Sequence, residues 1–131
     1  MLRYAAMDTT ITTINAYFAA ITALDVEQWV ATFAPDGVSY EPGNPPLSGH
    51  DALRQFFNAI AAGFESIEMK PDQIFALGNE AAVKWSARGK GRNGRTVTFE
   101  GIDIFIVNNA GRIQSAKAYW SPAAMMAELM G

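Results

Sequence analysis

Hydrophobic positions recur along this chain at two periods, a helical one in the first half and a strand one in the second. From Thr9 or Thr10, the residues Ile11, Ile14, Tyr17, Phe18 and Ile21 predict an amphipathic helix to about Ala23, preceded by a loose end over residues 1–8. Asp25 with Gln28 reads as the capping box of a second helix carrying Val26, Trp29, Val30 and Phe33, stopped by Pro35-Asp36-Gly37. A short strand, VSYE, leads into the loop PGNPPLSG, and a third helix follows over about Asp51 to Ala62 with Leu53, Phe56, Phe57 and Ile60 inward. The period then changes to two. Phe64 to Leu77 reads as extended but interrupted at Lys70-Pro71-Asp72, and Gly78-Asn79-Glu80 makes a turn. In Ala81 to Gly89, Val83, Trp85 and Ala87 share one face, with Lys84, Ser86 and Arg88 on the other. A slip of one residue would exchange the two sets and put Lys84 and Arg88 inside.

The richest stretch is Val97 to Trp120, two long strands around Asn108-Asn109-Ala110-Gly111. Counting by two from Asp103 gives Val97, Phe99, Gly101, Phe105 and Val107 on one face, matched by Ala116, Ala118 and Trp120 on the second strand. One carboxylate in such company must find partners or keep its proton. After the last strand, Ser121-Pro122 starts a short helix with Met125, Met126, Leu129 and Met130, which read as core cover or a pliable lid. The order of elements predicts an α+β fold, a curved and mostly antiparallel sheet wrapped on three helices, in a single domain over 1–131.

Composition narrows the chemistry by exclusion. There are 131 residues, no cysteine, one histidine and a formal charge of −3. Thiolate nucleophiles and cysteine metal sites are absent, and a histidine-based relay would rest on His50 alone. The small negative charge offers no general attraction to nucleic acid or to anionic membranes, and no apolar run is long enough to span a membrane. A cytoplasmic protein is the default expectation, with no nucleic acid or membrane as partner.

Gly89-Lys90-Gly91-Arg92-Asn93-Gly94 fits G-x-G-x-x-G, but a strand follows it where a phosphate site needs a helix N-terminus, so Asn93-Gly94 reads as a hairpin turn. The basic residues of its tip read as a charged edge. His50, at the start of the third helix, reads as a surface residue near its cap. Taken alone, Tyr17 is a packed tyrosine and Glu41 a turn carboxylate, while Asp103 is equally a structural hydrogen-bond partner or a perturbed functional acid.

Taken together, these residues resemble the ketosteroid isomerase branch of the nuclear transport factor 2-like, or SnoaL-like, superfamily. The resemblance runs from about Thr13 to Ser121. It is densest in Ile102-Asp103, Gly111-Arg112-Ile113-Gln114 and Ala118-Tyr119-Trp120-Ser121, with Pro45-Pro46, Gly49 and Phe56 upstream. It implies a cone-shaped, cystatin-like curved sheet closed by helices and a homodimer through the outer sheet face, where Ile102, Ile104, Ile106 and Tyr119 lie. It also implies roles: Tyr17 as oxyanion donor, Glu41 as the base that shuttles a proton, and Asp103 as a protonated acid and second donor. Phe56, Trp85, Phe99, Ala116, Ala118 and Trp120 would shape a pocket for a small apolar ketone such as a steroid, with neither metal nor organic cofactor. The chain departs from the pattern at three places. Glu41 stands at the base position in place of the usual aspartate, where another alignment places Tyr40 instead, and Phe33 and Phe57 stand where some members carry supporting tyrosines. Cyclase or epoxide-hydrolase chemistry, or ligand binding without catalysis, are the other expectations the superfamily allows.

Overall fold

The computed structural model describes residues 2–131, with side chains from residue 6 onward. In chain order the elements are α1 (Leu2–Thr22), α2 (Val26–Ala31), β1 (Phe33–Tyr40), β2 (Leu47–Ser48), α3 (His50–Ala61), β3 (Phe64–Leu77), β4 (Glu80–Gly91), β5 (Thr96–Val107), β6 (Ile113–Tyr119) and α4 (Pro122–Met130). The six strands form one sheet in the order β2-β1-β6-β5-β4-β3. The β1–β6 pairing is parallel and the others are antiparallel. The predicted α+β class with a mixed, mostly antiparallel sheet is therefore observed.

Several boundaries differ from the sequence expectations. The first helix begins at Leu2, so most of the expected loose end is helical, and residue 1 lies outside the described residues. The second helix stops at Ala31, where the Thr32 hydroxyl donates to Trp29 O at 2.6 Å, and Phe33 opens a strand instead of closing a helix. Pro35-Asp36-Gly37 is taken into that strand by a register shift between Phe33 and Val38. At Gly37 a Cβ would come within 2.7 Å of Ile113 O, so only glycine lets β1 and β6 approach there. The expected Pro-rich loop contains the two-residue strand β2, paired to β1. Finally, Pro71 does not break β3. A register shift between Pro71 and Gln73 leaves Asp72 unpaired in the ladder, and its carboxylate accepts from Ser86 Oγ at 3.0 Å.

The inner sheet face carries Val83, Trp85, Ala87, Phe105, Val107 and Ala116, all buried, against Ile14, Phe18, Trp29, Leu53 and Phe57 of the first three helices. The alternation read in β4 is thus the observed register, and Lys84 turns outward to Asp72 and Glu100. Two threonines fasten α1 to the sheet's turns. The Thr10 hydroxyl shares its proton between Ala6 O at 2.7 Å and Gly78 O at 3.0 Å, and the Thr13 hydroxyl reaches Gly111 O at 2.7 Å. These ties fix where Tyr17, one turn further on, enters the core. The fourth helix closes a smaller cluster of Phe64, Val97, Met125 and Leu129, and its N-cap is Ser121, whose Oγ accepts from Ala124 N at 3.2 Å. Among the described residues, no helix is long and apolar enough to cross a membrane.

Candidate active site

One cavity, about 590 Å³ of empty space including its mouth, opens between the inner sheet face and the helices. Tyr17, Glu41 and Asp103 all line it, and every other lining group is apolar or aromatic. Phe56, Trp85, Phe99, Ala118 and Trp120 line it too. Ala116 does not. It lies on the predicted face, but it sits one inward position before Ala118 on β6, opposite Phe105 and beside Ser39, where the core is closed.

Each polar group is delivered by a different element. Tyr17 projects from α1 into a cage formed by Phe18, Trp29, Phe33 and Phe105, with ring centroids 5.1, 5.8, 6.1 and 5.0 Å away. Glu41 follows β1 directly and is 8% exposed, and Ser39 Oγ, on the same side of the chain, donates to its Oε2 at 2.8 Å. Asp103 sits at the middle of β5, 2% exposed, between Val83 on β4 and Ala118 on β6. The aromatic wall is continuous: Phe99 stacks on Trp120 at 5.4 Å, and Trp85 meets each of them edge-on at 5.9 and 6.0 Å.

Gly101 makes that wall possible. A Cβ there would come within 2.6 Å of Trp85 Cζ2, 2.6 Å of Tyr119 O and 2.7 Å of Trp120 Cβ. Because the ring of Trp85 and the backbone of the next strand are both packed, neither can yield cheaply. Gly101→Ala is expected to lose about 1–3 kcal/mol, measured by urea denaturation, and to disturb the pocket as well.

Burial sets the protonation of all three groups. Desolvation pushes the Asp103 carboxyl up to about 8; the Trp85 indole N–H opposes this, and the Glu41 charge adds to it. Desolvation likewise raises Glu41, while hydrogen bonding from Ser39 and Trp120 pulls it back. The Tyr17 phenol is raised well above its ordinary value by burial first, then by the charges of Asp103 and Glu41. At neutral pH the site therefore holds two neutral acids that can donate hydrogen bonds, Tyr17 and Asp103, beside the carboxyl of Glu41. Groups with pKa values driven apart in one pocket are the usual basis of acid and base roles.

Two groups escaped the sequence reading although signals existed for both. Ser39 stands two residues before Glu41 on a strand, hence on its side, and Trp29 lies on the inward stripe of α2. Phe57, Ile60 and Met69 also line the cavity, as does Met125 of α4, which makes that helix part of the pocket's cover. His50 plays no part in it: its Nε2 lies 2.9 Å from Phe33 O, at the start of α3. The glycine-rich stretch is the hairpin between β4 and β5, with Gly94 N donating to Gly91 O at 3.0 Å. Among the described residues, no cluster of three or more His, Asp or Glu side chains is placed to hold a metal ion.

The SnoaL-like domain family matches residues 14–116, most of the chain and all three polar groups of the cavity. The chain is similar to a steroid Δ-isomerase of Nocardioides simplex, with 25% identity over 114 residues that cover 86% of this chain and 90% of that protein. Its fold is similar to that of a nuclear transport factor 2-like protein of unknown function from Burkholderia pseudomallei K96243 (TM-score 0.82, 20% identity, 94% of this chain and 98% of that one). It is also similar to the epoxide hydrolase/cyclase-like enzyme SalBIII of pyran ring formation in polyether salinomycin (TM-score 0.77, 21% identity, 88% and 92% covered). The chain belongs to the SnoaL-like domain family and has the nuclear transport factor 2-like fold.

Proposed function

We propose that this protein is an isomerase that moves a carbon–carbon double bond into conjugation with a ketone, acting on a flat apolar substrate such as a steroid. The observation that carries this reading is the grouping of Tyr17, Glu41 and Asp103 in an otherwise apolar cavity, with both donors neutral at pH 7. The Glu41 carboxylate takes a proton from the carbon beside the carbonyl. The electrons move to the carbonyl oxygen, giving a dienolate that Tyr17 and protonated Asp103 stabilise by donating hydrogen bonds. Glu41, now protonated, returns the same proton to the far carbon of the unsaturated system, and the ketone re-forms in conjugation. The apolar wall excludes water, so the proton stays on the shuttle. The likeness to the Nocardioides simplex isomerase supports this reaction, and the likeness to the cyclase-like enzyme is one of fold alone.

A pH profile checks the two protonation states. With Glu41 ionised and Asp103 protonated in the active form, kcat/KM is expected to be bell-shaped. The acid limb reports the raised Glu41 carboxyl, and the basic limb falls near pH 8 as Asp103 ionises. A profile flat from pH 6 to 10 would contradict the role given to Asp103.

We further propose a homodimer through the outer sheet face. Ile102, Ile106, Tyr119, Phe75 and Leu77 are exposed there, 37–65% each, on neighbouring strands of the sheet. Light scattering is expected to give the mass of two chains, and Ile102→Lys with Tyr119→Lys to give the mass of one. A wild-type mass of one chain would defeat the proposal.

A further inference from the structure

The chain has three tryptophans, and two of them, Trp29 and Trp85, have buried indole N–H groups that find no partner among the described residues. Both residues are at most 2% exposed and both line the cavity. A buried N–H without an acceptor is unfavourable enough to be rare in folded proteins. Two of them in one site, each beside a proton donor of the proposed reaction, call for an explanation.

Of the four rings packed around Tyr17, those of Phe18, Phe33, Phe105 and Trp29, only the Trp29 indole carries a polar hydrogen. At Asp103 the flanking inward positions, Gly101, Phe105, Val83 and Ala118, offer no donor, and Oδ1 is enclosed without a partner. Trp85 pairs with Gly101 across the β4–β5 ladder, and with no Cβ at Gly101 the indole lies over that position, next to Asp103 on the same face. We infer that Trp29 and Trp85 are positioning residues. The Trp29 N–H donates to the Tyr17 hydroxyl oxygen and the Trp85 N–H to Oδ1 of Asp103, which turns each acid's own proton toward the ligand oxygen.

The arrangement has a chemical consequence. An O–H group whose oxygen accepts a hydrogen bond is both better oriented and a better donor, because bonds in a chain polarise one another. The two indoles already pull the proton affinities of their partners down, Trp29 on Tyr17 and Trp85 on Asp103, against the larger effect of burial. Neither N–H yet meets its partner at ordinary hydrogen-bond geometry, so the contacts close when a ligand oxygen draws the two acids inward. Trp29 thus does for Tyr17 what Phe33 and Phe57, lacking hydroxyls, cannot.

The inference rests on the enolisation reading for its kinetic effect, and the test separates the two. Indole proton and nitrogen resonances are recorded for wild type, Tyr17→Phe and Asp103→Leu with a bound naphthol as the ligand oxygen. Tyr17→Phe is expected to move the Trp29 resonance selectively upfield, and Asp103→Leu that of Trp85. Replacing either tryptophan by β-(3-benzothienyl)alanine, which keeps the shape and deletes the N–H, is expected to lower kcat roughly two- to tenfold with KM little changed. Resonances that ignore the loss of their own partner would overturn the inference, as would analogues that turn over at the wild-type rate. If wild type turns over no steroid, the enolisation reading falls; the pairing is then supported by the resonance shifts or overturned by their absence.

Discussion

Glu41→Gln is expected to lower kcat on 5-androstene-3,17-dione by about 10²–10⁴, the range that general acid–base catalysis contributes. The change removes the carboxylate proposed as the base from the polar residues of the cavity and keeps its length and shape. The amide still accepts from Ser39 Oγ, which lies 2.8 Å from Glu41 Oε2 in the native chain, so the fold and the pocket should survive. The desolvation that raises Glu41 is also relieved by a neutral amide, so thermal stability is expected to hold or rise. A loss of rate with unchanged steroid affinity separates proton transfer from binding. A variant that keeps a tenth or more of the wild-type kcat would remove Glu41 from the chemistry.

Asp103→Leu is expected to cost about 10²–10³ in kcat, the effect of deleting one donor from an oxyanion site, and yet to stabilise the protein. Leucine has the same branched skeleton without the oxygens, so Oδ1 is no longer enclosed without a partner. The sign follows from the protons bound. Burial pushes the folded acid up to about 8 from the 3.8 of an ordinary aspartate, so across that window the unfolded chain releases a proton that the folded chain retains. Stability contributed by this group is whole below the lower value, declines as pH rises, and is lost above the upper one. Glu41, also raised, slopes the same way. Wild-type melting temperature should therefore fall between pH 5 and 8, and Asp103→Leu should flatten most of that slope and gain roughly 2–4 kcal/mol at pH 8. A variant less stable than wild type at pH 8 would mean that Asp103 is a satisfied structural acid.

The same residue illustrates how much of the site could be read from sequence. Strand parity alone placed Asp103 with Phe99, Gly101, Phe105 and Ala118, because a period of two leaves no freedom once the strand is recognised. Likewise, Val83, Trp85 and Ala87 had to share a face. What parity does not supply is depth along a strand, which is why Ala116 was expected in the cavity and instead lies in the closed core opposite Phe105. Nor does local pattern reveal long-range pairing. Phe33 and Pro35 read as the end of a helix and a turn, but β6 offers them a parallel partner and a bulge absorbs the proline. The placement of Tyr17 and Glu41 beside Asp103 was available only through family likeness, since three segments far apart in sequence converge there. The tryptophan N–H groups were out of reach for a similar reason, because a buried donor is known to lack a partner only when all its neighbours are known.

The central claim is that Glu41 shuttles a proton while Tyr17 and Asp103 hold the oxyanion. The most direct test is the ultraviolet absorption of conjugated enone when catalytic amounts of purified protein meet 5-androstene-3,17-dione, followed beside Glu41→Gln at equal concentration. The account predicts a steady rise over many turnovers with wild type and a rate at least a hundredfold lower, on the scale above, with the variant. Steroid bound by wild type with no rise in enone absorption would contradict it and leave a binding protein, or a different reaction, in the same cavity.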